Sequence, residues 1–291
     1  MSEQAIIIQT IVNGIMQGGV YALIAIGLTM IYGVMKVTNF AHGDMLMLGM
    51  YSSFWFFALL NISPYLSIFF TFIIMFAVGA VIQRFLIGKV LGAEPMNQLM
   101  VTIGISTFLY STAQFLWGAN VRTIHLTYGL ASFRIGEIRF TYTRLIAFAA
   151  SIILVLALFT FLKYSRLGKA MRAASQNRNA AALMGINVQQ IYILAFGLGT
   201  ALAGVAGVLI TPFQAINPMA GSQFAIIAFV VVVLGTMGNF LGALFGGLII
   251  GVAEAIGGYI FGSQAKTLVS LSIFILVLLF KPAGLFGGKE K

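Results

Sequence analysis

Two acidic residues, Asp44 and Glu254, lie in or beside apolar stretches of the sequence. An unpaired charge in lipid costs at least about 2.5 kcal/mol, so both residues are candidates for function. Asp44 follows Asn39 and His42 at a segment end, where a helix N-terminal acid near the membrane surface is the alternative interpretation. Glu254 lies within GLIIGVAEAIGGY and must face a bundle interior or a polar cavity. It either makes a structural hydrogen bond, lines a path or contacts another subunit.

The histidines and glycine motifs give no support for catalysis. His42 has one acid nearby, whereas a proton relay needs several ionisable groups in series, and His125 has no partner in sequence. No HExxH motif, paired metal-ligand set or Ser–His–Asp pattern occurs. The nearest approach to a phosphate-binding loop, Gly287-Gly288-Lys289, is followed by Glu290 instead of Ser or Thr. We expect no enzyme, no cofactor and no metal site, with any ATP bound by another chain.

The composition is that of a membrane protein. Of 291 residues, 60% are hydrophobic and 8% charged, with a mean hydropathy of +1.05, whereas a soluble domain carries about 25% charged residues. The net charge of +10 does not indicate nucleic-acid binding, because the basic residues gather in a few loops between apolar runs. The chain has no cysteine, and its start, MSEQ, lacks signal-peptide features, so the first apolar run is a retained span. We expect one all-α polytopic membrane domain over residues 1–291.

Nine apolar segments are candidates for the helices of about 20 residues that cross a bilayer. They are 6–35, 43–60, 64–92, 96–118, 143–164, 188–213, 222–239, 240–262 and 265–281. The first is long and holds Asn13, Gln17 and several glycines in its first half, so a short helix followed by a true span is one interpretation. The segments 43–60 and 222–239 are short, and either is a candidate re-entrant helix. The expected bundle therefore has eight or nine crossings.

The basic residues of the loops predict the orientation of the chain. Those expected in the cytoplasm are Lys36, Arg84, Lys89, the cluster at 163–178, and Lys281, Lys289 and Lys291 in the tail. With nine crossings, the N-terminus is then outside and the C-terminus is cytoplasmic. The loop 119–142 does not fit the positive-inside rule, because it holds three arginines and one acid, yet the predicted topology places it on the extracytoplasmic side. Its alternating stretch FRIGEI predicts a small extracytoplasmic hairpin.

A weak internal repeat relates Asn39–Gly43 to Asn217–Gly221, which share the form Asn-x-x-x-Gly. The predicted topology places the first on the inner side and the second on the outer side. That is typical of an inverted repeat with broken helices near a substrate path. Chance recurrence in a glycine-rich chain is the alternative.

Small residues four positions apart favour close helix packing in lipid, because missing side chains let backbones approach. The pairs Gly242–Gly246 and Gly247–Gly251 have this spacing. They predict a tight bundle and do not distinguish a transporter from a channel or a membrane enzyme.

The loop from about 163 to 187 is basic, rich in alanine and free of acids. Good helix formers run from Arg172 to Gly185, which is placed to end the helix, and Asn187 is placed to cap the next span. One interpretation is a docking surface for a cytoplasmic partner. The other is a loop that sets topology and contacts anionic lipid, which does not explain the small apolar turn after the charges.

Six stretches, spread nearly end to end, carry a resemblance to a known family. They are Tyr21–Gly27, Asn39–Gly43, Tyr164–Ala173, Ala182–Asn187, Ala203–Leu209 and Gly246–Ala255. The chain resembles the permease subunits of the branched-chain amino acid (Leu/Ile/Val) high-affinity ABC importers. Departures also occur: Gln176 and Asn177 stand where the family often has an acid, and Thr236 replaces a glycine of an LGGIGS-like stretch.

The resemblance implies both a role and partners for the chain. The implied partners are a second homologous permease chain, two cytoplasmic ATPase subunits and an extracytoplasmic solute-binding protein, assembled in a bacterial inner membrane. The implied solutes are branched-chain or related amino acids. Permeases for urea or short-chain amides share the framework, and a stand-alone secondary transporter or channel is the rival from another class.

The resemblance also implies site residues. A cytoplasmic coupling helix between Ala173 and Gly185 would sit in a groove of the ATPase. The residues expected to couple to it are Arg172, Ala173, Ala174, Asn177, Ala181, Leu183 and Gly185. Those expected to line a translocation path are Asn39, His42, Asn217, Thr236 and Glu254.

Overall fold

The computed structural model describes residues 2–126, 129 and 131–287, and these form a helical bundle with one short β-hairpin. Its elements in chain order are α1 (Glu3–Met35), α2 (His42–Leu60), α3 (Pro64–Ile82), a π-helical turn (Gln83–Ile87), α4 (Gly88–Val90), α5 (Pro95–Trp117), β1 (Ser132–Ile135), β2 (Ile138–Thr141), α6 (Tyr142–Tyr164), α7 (Arg166–Gln176), α8 (Arg178–Leu183), α9 (Val188–Ile210), α10 (Ala220–Leu234), α11 (Phe240–Phe261), a 3₁₀ turn (Ser263–Ala265) and α12 (Lys266–Phe280). The π-helical turn joins α3 and α4 into one apolar helix.

The helices confirm an all-α polytopic membrane protein. Within the described residues, seven helices are long and apolar enough to cross a membrane, and α10 and α12 are shorter apolar helices. Together they correspond to the nine apolar segments of the sequence. The expected hairpin is also present, because β1 and β2 pair antiparallel within the loop 119–142.

Helix α1 is one continuous helix of 33 residues, about 50 Å long. The interpretation of a short helix followed by a separate span is therefore wrong. The glycines in this half of α1 pack against other helices: Gly14 and Gly18 contact α11, and Gly19 contacts Phe148 of α6. A Cβ added to Gly14 would lie 2.9 Å from the carbonyl oxygen of Gly251, and one added to Gly18 would lie 2.7 Å from that of Gly247. In lipid, such close backbone contacts hold helices together.

The other glycine pair lies where α11 meets α10. A Cβ on Gly246 would lie 2.9 Å from the carbonyl oxygen of Val231, and one on Gly242 would clash with the carbonyl of Gly235. One helix therefore uses two glycine pairs to approach two different neighbours, which places α11 between α1 and α10.

The bundle has two ends, which we name by their residues. At the hairpin end, the Gln9 side chain exchanges hydrogen bonds of 2.9 and 2.7 Å with the backbone of Arg139 in β2. The loops after α5 and α9 also meet here, through a bridge between Arg122 and Ile216. The basic end carries α7 and α8, which follow the far end of α6.

The basic loop folds into two helices, so the prediction of a single helix from Arg172 to Gly185 is wrong. Asn177 has an extended backbone, with φ of −152°, and ends α7. Its side chain then accepts a hydrogen bond of 3.0 Å from Ala180 N and caps α8. Asparagine is a poor interior residue and a good N-cap, because its side chain competes for backbone N–H groups.

The ends of this loop are as the sequence predicted. Gly185 follows α8 with φ of 81°, a left-handed conformation that glycine adopts without strain. The Asn187 side chain accepts a hydrogen bond of 3.1 Å from Gln190 N and caps α9. Both outcomes depend on neighbours within a few positions.

Candidate functional site

The first candidate site is the place where the starts of α2 and α10 meet inside the bundle. After α1, residues 36–41 turn back, so that His42 Nε2 lies 2.9 Å from the carbonyl oxygen of Ile24, well inside α1. The chain also turns back after α9. Gly43 and Gly221 then come so close that a side chain on Gly43 would clash with the Gly221 carbonyl. We call this contact the α2–α10 junction.

The turns before the two helices are built alike. The carbonyl of Asn39 accepts a hydrogen bond of 3.3 Å from His42 N, and that of Asn217 accepts one of 3.1 Å from Ala220 N. From the junction, α2 runs to the hairpin end, where its aromatic rings contact the loop after α5. Helix α10 runs to the basic end. The two arms are thus antiparallel, which is the arrangement expected of an inverted repeat with broken helices.

Polar side chains near the junction are deeply buried. Asp44 is 4% exposed, and its carboxylate accepts a hydrogen bond of 2.5 Å from the Ser106 hydroxyl. The structure places Asp44 in the first turn of α2, as the interpretation of a helix N-terminal acid expects, and buries it inside the bundle. Of the buried polar atoms that lack a hydrogen-bond partner among the described residues, three belong to the turns before α2 and α10 or to the start of α2: Asn39 Nδ2, His42 Nδ1 and Asn217 Oδ1. Buried polar atoms are usually paired, so these three have hydrogen-bonding capacity that the described residues leave unused.

The second candidate site is a cavity of about 450 Å³ that we call the hairpin-end cavity. Helices α1, α6, α10, α11 and α12 surround it, together with the loop after α9. Its wall includes four amide and three charged side chains: Asn13, Gln17, Gln214, Gln223, Arg144, Glu254 and Lys266. A cavity with such a wall between apolar helices suits a small polar solute.

Glu254 is fixed at the wall of this cavity. It is 6% exposed, and its carboxylate accepts a hydrogen bond of 2.7 Å from the Tyr21 hydroxyl and another from the Ser270 hydroxyl. As the sequence predicted, it faces the bundle interior and a polar cavity. The guanidinium of Arg144 lies 5.7 Å from the ring centre of Phe213.

The third candidate site is the tip of α8 at the basic end. Leu183 and Met184 are 89% and 83% exposed, whereas Ala174 and Ala181 are buried. The other residues expected to couple to a partner are exposed or half-buried: Arg172, Ala173, Asn177 and Gly185. Two large apolar side chains on a basic surface form a candidate contact with another protein or with lipid.

None of the three places resembles a metal centre. Residues 2–126, 129 and 131–287 contain no group of three or more His, Cys, Asp or Glu that could hold a metal ion.

Comparison with known proteins supplies the family. Residues 10–278 match the family described as branched-chain amino acid transport system / permease component. The chain belongs to this family. It is 36% identical to the high-affinity branched-chain amino acid transport system permease protein BraD of Pseudomonas aeruginosa, over 97% of this chain and 96% of that protein. It is 37% identical to the permease protein LivH of Salmonella typhimurium, over 100% of this chain and 99% of that protein.

A solved structure, PsaBC from Streptococcus pneumoniae in complex with Fab, aligns with 97% of this chain and 93% of its own. The sequence identity is 14% and the TM-score 0.47. That likeness is too weak to bear on function.

In this member of the permease family, the residues expected to line a path lie in three places. Glu254 lines the hairpin-end cavity. Thr236 lies at the basic end with φ of 72°, and its hydroxyl donates a hydrogen bond of 2.9 Å to the Ala283 carbonyl. The others lie at the junction: Asn39, His42 and Asn217.

The sequence interpretation missed the cations of the cavity. Arg144 lies at the start of the apolar segment of α6, and Lys266 lies at the start of α12. Only acids were sought in apolar segments, so both were passed over. A search for every ionisable residue at segment ends would have found them.

Proposed function

We propose that this chain is the membrane-spanning subunit of a binding-protein-dependent ABC importer that carries branched-chain or related amino acids across a bacterial inner membrane. The observation that carries the proposal is the family match over residues 10–278, together with similarity to named branched-chain amino acid permeases along the whole chain. ATP is hydrolysed on partner chains. The sequence supports this, because it contains no GxxxxGK loop followed by Ser or Thr.

The charge distribution supports an orientation with the basic end in the cytoplasm. Helix α1 starts at the hairpin end and α12 leads to the basic end, so the N-terminus is extracytoplasmic and the C-terminus cytoplasmic. Described cations at or near the basic end are Lys36, Arg84, Lys89, Lys163, Arg166, Lys169, Arg172, Arg178 and Lys281. Lys289 and Lys291 lie outside the described residues. The loop 119–142 with its hairpin is then extracytoplasmic.

The exposed tip of α8 is the proposed contact with an ATPase. Leu183 and Met184 would enter an apolar groove, and the surrounding cations would face acids of the partner. Ala174 and Ala181, which are also expected to couple, are buried, so their proposed part in coupling is to hold α7 and α8 against the bundle. Burying one large apolar side chain contributes about 1.5–3 kcal/mol, so two such residues are enough to decide whether the partner binds.

The proposed machine contains this single transmembrane domain, a second homologous permease chain, two cytoplasmic ATPase subunits and an extracytoplasmic solute-binding protein. ATP binding closes the ATPase pair and moves α8. Helix α7 packs against α1, α6 and α9. Of these, α1 packs against α10 and α9 packs against α2. The motion of α8 therefore reaches the α2–α10 junction through α7. Separation of the junction would then switch the permease between its two facing states.

The test replaces Leu183 and Met184 with glutamate in the complete complex. Loss of both apolar contacts should reduce ATPase recruitment and leucine uptake into proteoliposomes by at least about tenfold. The matched control replaces Gln189 and Gln190 with glutamate, which adds the same two charges to exposed positions at the same end. Normal recruitment and uptake in the double variant would refute the coupling contact. Uptake by the purified chain alone would favour the secondary transporter, and competition by urea but not leucine would favour the amide permease.

A further inference from the structure

We propose that the hairpin-end cavity is a binding site for a zwitterionic α-amino acid, with Glu254 receiving the ammonium group and Arg144 the carboxylate. The proposal rests on the proposed function and names the part of the path where the solute is first held. It assigns a shared site to residues that come from separate helices.

Charges of both signs line the cavity, and Lys266 attracts Glu254 electrostatically without a direct ion pair between them. Glu254 lies on α11, Arg144 at the start of α6 and Lys266 at the start of α12. None of them forms an ion pair within 4.0 Å of another described residue. Unpaired charges are costly between apolar helices. A zwitterion brings one group of each sign, so its ammonium group would contact Glu254 directly and its carboxylate would contact Arg144, while Lys266 is exposed and acts on Glu254 from further away.

The Glu254 carboxylate is prepared to accept an ammonium group. Hydrogen bonds from Tyr21 and Ser270 fix both of its oxygens. Each carboxylate oxygen can accept more than one hydrogen bond, so capacity remains for a bound N–H group. Because two hydroxyl groups already hold the side chain, binding costs little additional ordering.

The rest of the wall suits the remainder of an amino acid. Amide side chains such as Gln214 and Gln223 can donate to a carboxylate or accept from an ammonium group. Phe213, Phe224 and Ile227 offer an apolar surface to a branched aliphatic side chain. The cavity volume of about 450 Å³ lies within the range of small-molecule sites.

The cavity also leads toward the α2–α10 junction. Along α1 its wall extends from Asn13 to Tyr21, which is about 12 Å of helix. Ile24, whose carbonyl contacts His42 at the junction, lies three residues further, or about 4.5 Å. A solute held here would lie directly outside the contact that must separate.

The test uses the assembled complex in liposomes and the absence of native cysteine from this chain. Gln223→Cys places one thiol in the wall, and its reaction with a methanethiosulfonate reagent is timed with and without leucine. At ten times its dissociation constant, leucine should slow labelling about tenfold. 3-Methylbutylamine and 4-methylpentanoate, which each carry one charge, should protect far less. A thiol at Arg134→Cys, exposed at the same end outside the cavity, should not be protected.

Variants of the two charged residues show whether these residues bind the amino acid or only support the structure of the cavity. Glu254→Gln keeps an oxygen that can accept from Tyr21, and Arg144→Gln keeps a polar side chain. Either should abolish protection of the thiol at position 223, while Glu137→Gln and Arg139→Gln, at the same end, should not. Leucine uptake by the complex without any protection at 223 would overturn the site and leave the proposed function standing. Equal protection by the singly charged analogues would overturn the zwitterion pairing. Failure of the complete complex to take up any branched-chain amino acid would instead refute the proposed function.

Discussion

The α2–α10 junction can be tested by adding one methyl group to it. In Gly43→Ala, the new Cβ would meet the carbonyl oxygen of Gly221 and the backbone nitrogen of Ala225. Both belong to α10 backbone at the start of the helix, so neither can rotate away as a flexible side chain would. The substitution therefore acts on the closed contact itself.

Overpacking a tight contact costs about 1–3 kcal/mol. If the junction opens during transport, this cost applies to the closed state and is relieved in the open state. The equilibrium should then shift toward the open state by about 5- to 150-fold. Alanine also raises helix propensity by up to about 1 kcal/mol, but that gain is common to both states and cancels. Gly104→Ala is the matched control, since nothing lies within 4 Å of a Cβ there.

The assay follows a thiol introduced by Asn39→Cys, which is fully buried at the junction in the closed state. Labelling by a water-soluble thiol reagent reports opening, because the chain has no other cysteine. In the Gly43→Ala background the labelling rate should rise by at least about fivefold over the parent protein. In the Gly104→Ala background it should not change. Equal rates in the two backgrounds would show that the junction does not open, and the proposed role of α2 and α10 would be refuted.

Two smaller predictions concern the bundle ends. Thr236→Gly should leave the unfolding temperature nearly unchanged, because the relief of about 1 kcal/mol of left-handed backbone strain offsets the loss of a hydrogen bond of about 1 kcal/mol. Thr236→Ala keeps the strain and loses the hydrogen bond, so this variant should unfold at a lower temperature. Hydrogen bonds from Ser2 hold the pKa of the Glu137 carboxyl below its usual value, so this link should be present above about pH 4.3 and be lost as the pH falls further. The difference in unfolding temperature between the parent and Glu137→Gln should then disappear in acid; a difference that persists there would contradict this reasoning.

Features that depend on near neighbours could be predicted from the sequence. Gly185 ends α8 and Asn187 caps α9, because a left-handed turn and a side-chain cap involve residues within three or four positions. The apolar segments were found for a similar reason, since each crossing needs a continuous apolar run. Asn177 shows the limit of this approach: it was expected inside a helix, yet it acts as a cap between two helices.

Contacts between distant segments were harder to predict. Gly18 and Gly19 suggested a break in α1 because glycine weakens an isolated helix, but α11 approaches closely at Gly18 and Phe148 of α6 packs at Gly19. A polar cavity beside Glu254 was one predicted alternative, but the other residues of its wall were not predicted. Its central hydrogen bond joins Tyr21 to Glu254, which are 233 residues apart, and Arg144 comes from a third helix.

The sequence by itself therefore determined that the chain crosses a membrane many times, at which positions along the chain its basic loops occur and which family it resembles. These properties follow from composition and from residues close together in the chain. The tertiary structure alone decided that Gly43 meets Gly221 and that Glu254 and Arg144 share a cavity. In lipid, close approach of the backbones and pairing of the few polar groups decide which helices pack together. No local sequence pattern shows which distant helix will supply the partner.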